Sequence, residues 1–134
     1  MTTTPKNTLN PNYRQKLGAL GEKIACQFLL KKGYQLLRKN FLIRGGQIDL
    51  IMLSPQHNLI FIEVKTRYSR LPQEESIVSH HQLKTLQNTA RQFLATISFP
   101  FVTWQLDLIW IHFDRLEDKI PKAKIKHYQN ILEI

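Results

Sequence analysis

The sequence predicts an α/β domain, a mixed β-sheet flanked by helices in the order α-β-β-β-α-β with a short C-terminal strand. Three observations predict it. Two stretches carry apolar residues at the three-then-four spacing of a helix packed on one side. Segments 48–53, 59–65 and 104–113 are apolar and rich in branched residues, as strands covered on both faces are. The helices fall before and between the strands, and that alternation builds a sheet with helical layers.

The first helix is expected from about Asn12 to Lys32, with Leu17, Leu20, Ile24 and Phe28 as its apolar stripe. Asn12 with Gln15 fits a capping-box start, and Gly33 fits the stop. Glu22 lies off the stripe, in line with Gly18, Ala25 and Leu29, so it meets small and apolar neighbours if both sides of the helix are covered. Cys26 has no second cysteine to pair with and reads as a small buried residue.

Segments 48–53 and 59–65 flank Ser54-Pro55-Gln56-His57-Asn58 and read as the last hairpin of a three-stranded meander. Alternation places Glu63 and Lys65 on the face of Leu59 and Phe61, with Ile60, Ile62 and Val64 on the other. In antiparallel pairing Asp49, at the start of one strand, then lies near Glu63 and Lys65 at the end of its partner. Gly45-Gly46-Gln47-Ile48 leads tightly into Asp49, an acid in an apolar segment that has nothing to gain from one.

Ser79-His80-His81-Gln82 is a second capping box, opening a helix whose buried face is Leu83, Leu86, Ala90, Phe93 and Ile97. Lys84 and Arg91 fall outside that face. His80 and His81 lack the cysteine or partnered histidine of a zinc site. The segment 104–113 reads as an inner strand, with Asp107 expected to pair with a cation or cap a backbone group. Lys122, Lys124 and Lys126 alternate, as suits an edge strand guarded against pairing with another chain.

A chain of 134 residues can bury roughly 68% of its unfolded surface without disulfides or metals. Residues 1–11 are polar and read as a disordered tail, and residues 12–134 as one compact domain. There is no internal repeat and no apolar run near the ~20 residues a membrane helix needs. The cytoplasm is the expected compartment, since no signal peptide is seen. Nineteen Lys and Arg against ten Asp and Glu leave a formal charge of +9, and such a surface favours polyanions through counterion release. Nucleic acid, DNA before RNA, is the expected partner, with Arg38, Lys39, Arg44, Arg67, Arg70 and Lys84 as phosphate contacts. The loop from Tyr68 to Ile77 is expected to be mobile and able to close over a strand.

Two carboxylates and an ammonium group make a chemistry. Mg²⁺ takes one or two carboxylates and completes its octahedral shell with waters and phosphate oxygens. Asp49, Glu63 and the Val64 backbone carbonyl can supply that minimum for Mg²⁺ or Mn²⁺, and Lys65 can orient a nucleophile or stabilise charge on a phosphate. Against this stands a plain reading: Glu-x-Lys is common on exposed strands, where such pairs contribute ~0.2–1 kcal/mol.

The ordered motifs Gly21-Glu22-Lys23-Ile24-Ala25, Gly33-Tyr34, Arg38-Lys39-Asn40, Gly46-Gln47-Ile48-Asp49-Leu50-Ile51, Phe61-Ile62-Glu63-Val64-Lys65-Thr66-Arg67, Lys84 and Leu106-Asp107-Leu108 resemble the YraN-like uncharacterised family. That family is assigned to the restriction-endonuclease-like superfamily, whose signature is Asp, a spacer, then Asp/Glu-x-Lys. The resemblance covers residues 13 to 132 and implies a restriction-endonuclease-like core, a Mg²⁺-dependent endonuclease activity on DNA, and catalytic roles for Asp49, Glu63, Lys65 and the helical acid Glu22. The chain departs from the family at Gln47, where Gly-Glu-Ile-Asp is usual. An amide oxygen still serves as a metal ligand, with less charge, so the departure bears on catalysis more than on fold. Branched, single-stranded or end-containing DNA is the expected substrate. The alternatives are a binding module of the same fold without activity and a protein-interaction scaffold. Whether two copies pair as a homodimer is left open.

Overall fold

The computed structural model describes residues 11–68, 78–114 and 122–133. They form helix α1 (Pro11–Lys31), strands β1 (Gln35–Ile43), β2 (Gly46–Leu53) and β3 (Leu59–Tyr68), helix α2 (His80–Leu94), strands β4 (Trp104–Phe113) and β5 (Ala123–Tyr128), and a terminal 3-10 turn η1 (Ile131–Glu133). The sheet order is β1-β2-β3-β4-β5. Neighbours are antiparallel except β3 and β4, which run parallel because α2 carries the chain back before β4 begins. This is the expected mixed sheet in the expected order. The tail at residues 1–10 and most of the loop after Tyr68, with Arg70, lie outside the described residues; Pro11 already belongs to α1.

Local chemistry accounts for most boundaries. Proline opens α1, where its missing N–H would have had no partner anyway. Asn12 is therefore inside the first turn and is not the cap that the sequence suggests. At the other end Gly33 sits at φ +88°, its N–H donates to Leu30 O at 3.0 Å and Tyr34 N–H donates to Leu29 O at 3.1 Å. This is the Schellman closure, which needs the left-handed conformation only glycine adopts cheaply. In α2 the Ser79 hydroxyl accepts from Gln82 N–H at 3.1 Å and the Gln82 side chain accepts from Ser79 N–H at 3.1 Å, completing the capping box. Ile97 lies beyond the helix end but still packs on the core. The five-residue loop between β2 and β3 closes through Ser54 N–H donating to Asn58 O at 2.8 Å.

Each sheet face carries its own core. Leu59, Phe61, Leu106 and Leu108 pack with Leu86, Ala90 and Phe93 of α2. Leu50, Met52, Ile60, Ile62, Ile109 and Ile111 pack with Leu17, Ala25, Cys26 and Leu29 of α1. The buried line of α1 is thus Leu17, Gly21, Ala25 and Leu29, while Leu20, Ile24 and Phe28 are only half-buried. The stripe read from the sequence is rotated from the true one, because small residues let the helix settle closer to the sheet than large ones would. At Gly21 an added Cβ would collide with the Thr66 hydroxyl of β3.

Asp107 is fully buried and satisfied: Oδ1 accepts from Gln105 Nε2 and Asn130 N–H, both at 2.9 Å, and Oδ2 lies 2.7 Å from His127 Nε2. It both pairs and caps, pinning β5 and the chain end to β4. Its charge, after burial, also raises the Tyr34 phenol above its ordinary value. β5 is the edge strand that the alternating lysines suggested. Among the described residues no helix is long and apolar enough to cross a membrane.

Candidate active site

The site lies where β2 and β3 part. Their ladder runs from Leu53↔Leu59 to Leu50↔Ile62 and ends there. Continuing the register would put Asp49 opposite Glu63, but a side chain replaces the next backbone rung: Asp49 Oδ2 accepts from Val64 N–H at 2.8 Å. The cause is a break in alternation. Leu50 and Met52 face the α1-side core, and Ile48, which should join them, faces the α2-side core instead. Across β1, between the pairs Lys39↔Leu50 and Phe41↔Ile48, Asn40 adopts φ +51°, a conformation asparagine tolerates better than most residues. The kink turns Asp49, 9% exposed, into the gap.

Glu63 meets it there. Burial first, then a hydrogen bond to Asp49 and its charge, push the Glu63 carboxyl up to about 9 from an ordinary 4.5; Lys65 pulls it down and Glu22 pushes it further up. Without a cation the two acids therefore share one proton across the neutral range. Glu22 is raised as well, by burial, then by the Asp49 charge, and lowered by Lys39. Gln47 Nε2 donates long hydrogen bonds to Asp49 Oδ1 at 3.4 Å and to Asn40 Oδ1 at 3.3 Å. It shares the neighbourhood of Asp49, as its two-residue offset implies.

Five of the residues singled out from the sequence are thereby brought into electrostatic contact: Asp49, Glu63, Lys65, Glu22 and Lys39. Among the described residues no group of three or more His, Cys, Asp or Glu side chains is gathered for a metal, so Glu22 is felt as a charge and not as a third ligand. Two carboxylates in contact satisfy the smaller requirement of Mg²⁺, and a dication would relieve the repulsion that the shared proton now relieves. The donor set fits.

The other cations are spread. Arg67 is exposed on β3, with its guanidinium 5.5 Å from the Trp110 ring centroid. Arg38 is exposed and lies 5.2 Å from the Phe41 ring centroid. Arg44 occupies the two-residue turn between β1 and β2, beside Gly45 at φ +87°. Lys84 is exposed on α2. Asn40, which the sequence offered only within the Arg38-Lys39-Asn40 motif and without a role, is the further residue of this site. Its signal was faint, an asparagine in a strand opposite the odd acid.

The chain matches the profile of the uncharacterised protein family UPF0102 over residues 21–111, a span that holds Glu22, Asp49, Glu63 and Lys65. It is 36% identical over 120 residues to a UPF0102 protein of Caldanaerobacter subterraneus subsp. tengcongensis, covering 87% of this chain and 94% of the relative. Against a UPF0102 protein of Syntrophomonas wolfei it is 36% identical over 117 residues, 87% of this chain and 96% of the relative. A UPF0102 protein of Chlorobaculum tepidum is 35% identical over 119 residues, 87% and 91% of the two chains.

Proposed function

The chain belongs to the uncharacterised protein family UPF0102, and we propose that it is a nuclease of the restriction-endonuclease-like superfamily, hydrolysing phosphodiester bonds of DNA with Mg²⁺ or Mn²⁺ as cofactor. One observation carries the reading. The Asp49 carboxylate, held by Val64 N–H at 2.8 Å, is hydrogen-bonded to Glu63 in the gap between β2 and β3, two residues along β3 from Lys65. Acids fourteen positions apart have no structural need to meet in a half-buried gap. Such a pair costs desolvation and repulsion that a bound dication would offset.

Asp49 and Glu63 would hold the cation, with the Val64 carbonyl as third donor, since a residue in an antiparallel ladder addresses the same neighbour with its N–H and its C=O. The Gln47 amide oxygen joins them if its Nε2 turns from Asp49. When bound, the cation supplies charge neutralisation at the scissile phosphate and a lowered pKa for its water. Lys65 orients the attacking water or stabilises the charge that develops on the phosphate. Glu22 accepts a hydrogen bond from a water at the edge of the site. The charge of +9 favours the substrate electrostatically, and among the described residues no base-reading element stands beside the site, so recognition follows backbone shape in branched, single-stranded or end-containing DNA. Cytoplasmic action belongs to the same reading, and cutting both strands of a duplex would take a homodimer.

Gln47 favours a second reading. As a neutral donor to Asp49 in place of the family's usual acid, it suits a nucleic-acid-binding module with weakened chemistry. The two readings part in one experiment. With Mg²⁺ or Mn²⁺ the purified protein is expected to cleave at least one of a panel of linear, branched and single-stranded DNAs, and Asp49→Ala, Glu63→Ala and Lys65→Ala to cleave none. Binding without cleavage, indifferent to EDTA and to Glu63→Ala, would decide for the module.

A further inference from the structure

We propose that the face of β3, β4 and β5 beside Lys65 is a track for one single-stranded nucleic-acid backbone, gripped at its phosphates by Lys65, Arg67, Lys124 and Lys126. The nuclease reading supplies only the destination of that strand; the grip itself is independent of cleavage. Cross-strand register builds the surface. Lys65 stands beside Trp110, which faces Lys126, and the next row is Arg67, His112 and Lys124. Register partners project from the same face of a sheet, and the Arg67 guanidinium over the Trp110 ring joins the two rows.

This is the face that, toward the start of β3, packs Leu59, Phe61, Leu106 and Leu108 under α2. On β5 the alternate residue Ile125 turns to the α1-side core, leaving Lys124 and Lys126 exposed on this side. Of the six positions in the two rows, four are cationic, one is histidine, one is tryptophan and none is acidic. Edge protection alone would need charges on β5 only. It does not account for Lys65 and Arg67 continuing the same rows two strands inward. Neighbouring strands lie ~4.8 Å apart, so each row spans ~10 Å, the reach of one backbone. Trp110, 4% exposed, is too covered to stack on a base, and the rows offer charge without a base-reading pattern, so the contact is with phosphates. Lys65 belongs to both rows and site, and a strand lying here passes Glu63 two residues away.

The test is the salt dependence of binding to a fluorescein-labelled oligo(dT), read by anisotropy in EDTA so that no cleavage intervenes. Each lost phosphate contact lowers the slope of log K against log salt by ~0.7. The double variant Lys124→Gln/Lys126→Gln is expected to lose ~1.4 in slope, about sevenfold in affinity across a fourfold change in salt. Lys124→Arg/Lys126→Arg is expected to keep the wild-type slope, which separates charge from any disturbance of the edge. Lys16→Gln/Lys31→Gln, exposed on α1, is expected to change it by less than half as much. A Gln pair with the wild-type slope, an α1 pair that loses as much, or no binding by the wild type overturns the track. Wild-type protein that binds with the expected slopes yet cleaves nothing in Mg²⁺ or Mn²⁺ overturns the nuclease reading and leaves the track standing.

Discussion

In the metal-free protein the proton shared by Glu63 and Asp49 makes stability fall as pH rises. Glu63 keeps its proton to about pH 9 when folded, against an ordinary 4.5, and in the unfolded chain it releases it near that ordinary value. Between these limits the folded state binds one proton more than the unfolded state. Because the folded pKa is raised, the stabilisation is complete below about 4.5 and is lost as pH climbs toward 9. One proton of difference corresponds to a slope of about 1.4 kcal/mol per pH unit, or roughly 3–6 °C in Tm per unit for a domain of this size. Thermal melts by circular dichroism in EDTA at pH 5.5, 6.5 and 7.5, comparing wild type with Glu63→Gln, isolate the effect, because every other titrating group is common to both proteins. Glutamine keeps a donor for Asp49 but has no proton to lose. The difference between the two curves should therefore slope by that amount, wild type losing stability relative to the variant as pH rises. Parallel curves would refute the shared proton and with it the contact between the acids.

Gln47→Glu restores a charge beside Asp49 and is expected to tighten Mn²⁺ binding on the order of tenfold, measured by calorimetry at pH 7.5; unchanged affinity would place residue 47 outside the ligand shell. Gly21→Ala is expected to cost ~1–3 kcal/mol in urea denaturation because the new methyl meets the Thr66 hydroxyl, and adding Thr66→Ala should recover part of the loss. Asp107→Ala strips partners from buried His127 and from the Asn130 N–H, for an expected loss of about 3 kcal/mol or more; a loss below 1 kcal/mol would mean that the clamp on β5 carries little.

How far the fold could be read in advance follows from how far each cause reaches along the chain. The Ser79 capping box, the Gly33 stop and the turn from Ser54 to Asn58 rest on neighbours within a few positions, so they were legible. Asp49 was legible as the odd residue of β2 for a similar reason, since a carboxylate within a run of apolar residues contradicts its own segment. The buried line of α1 was not, because the helix packs through Gly21 and Ala25, and what favours small residues there is Thr66, distant in sequence. Nor were the rows that Lys124 and Lys126 share with Lys65 and Arg67, since their alternation suggests a guarded edge whichever strands lie beside it.

Residue order alone specified the strands and helices, their succession, and the two acids and the lysine of the proposed site, because hydrophobic period, caps and turns act locally. Folding in three dimensions decided that β2 breaks its alternation at Asp49, that Val64 N–H and Glu63 converge on that carboxylate, and that Lys65 and Arg67 share rows with the lysines of β5. Those relations depend on the register between strands and on the closeness of helix to sheet, which many distant side chains set together through packing and which no short stretch of sequence encodes.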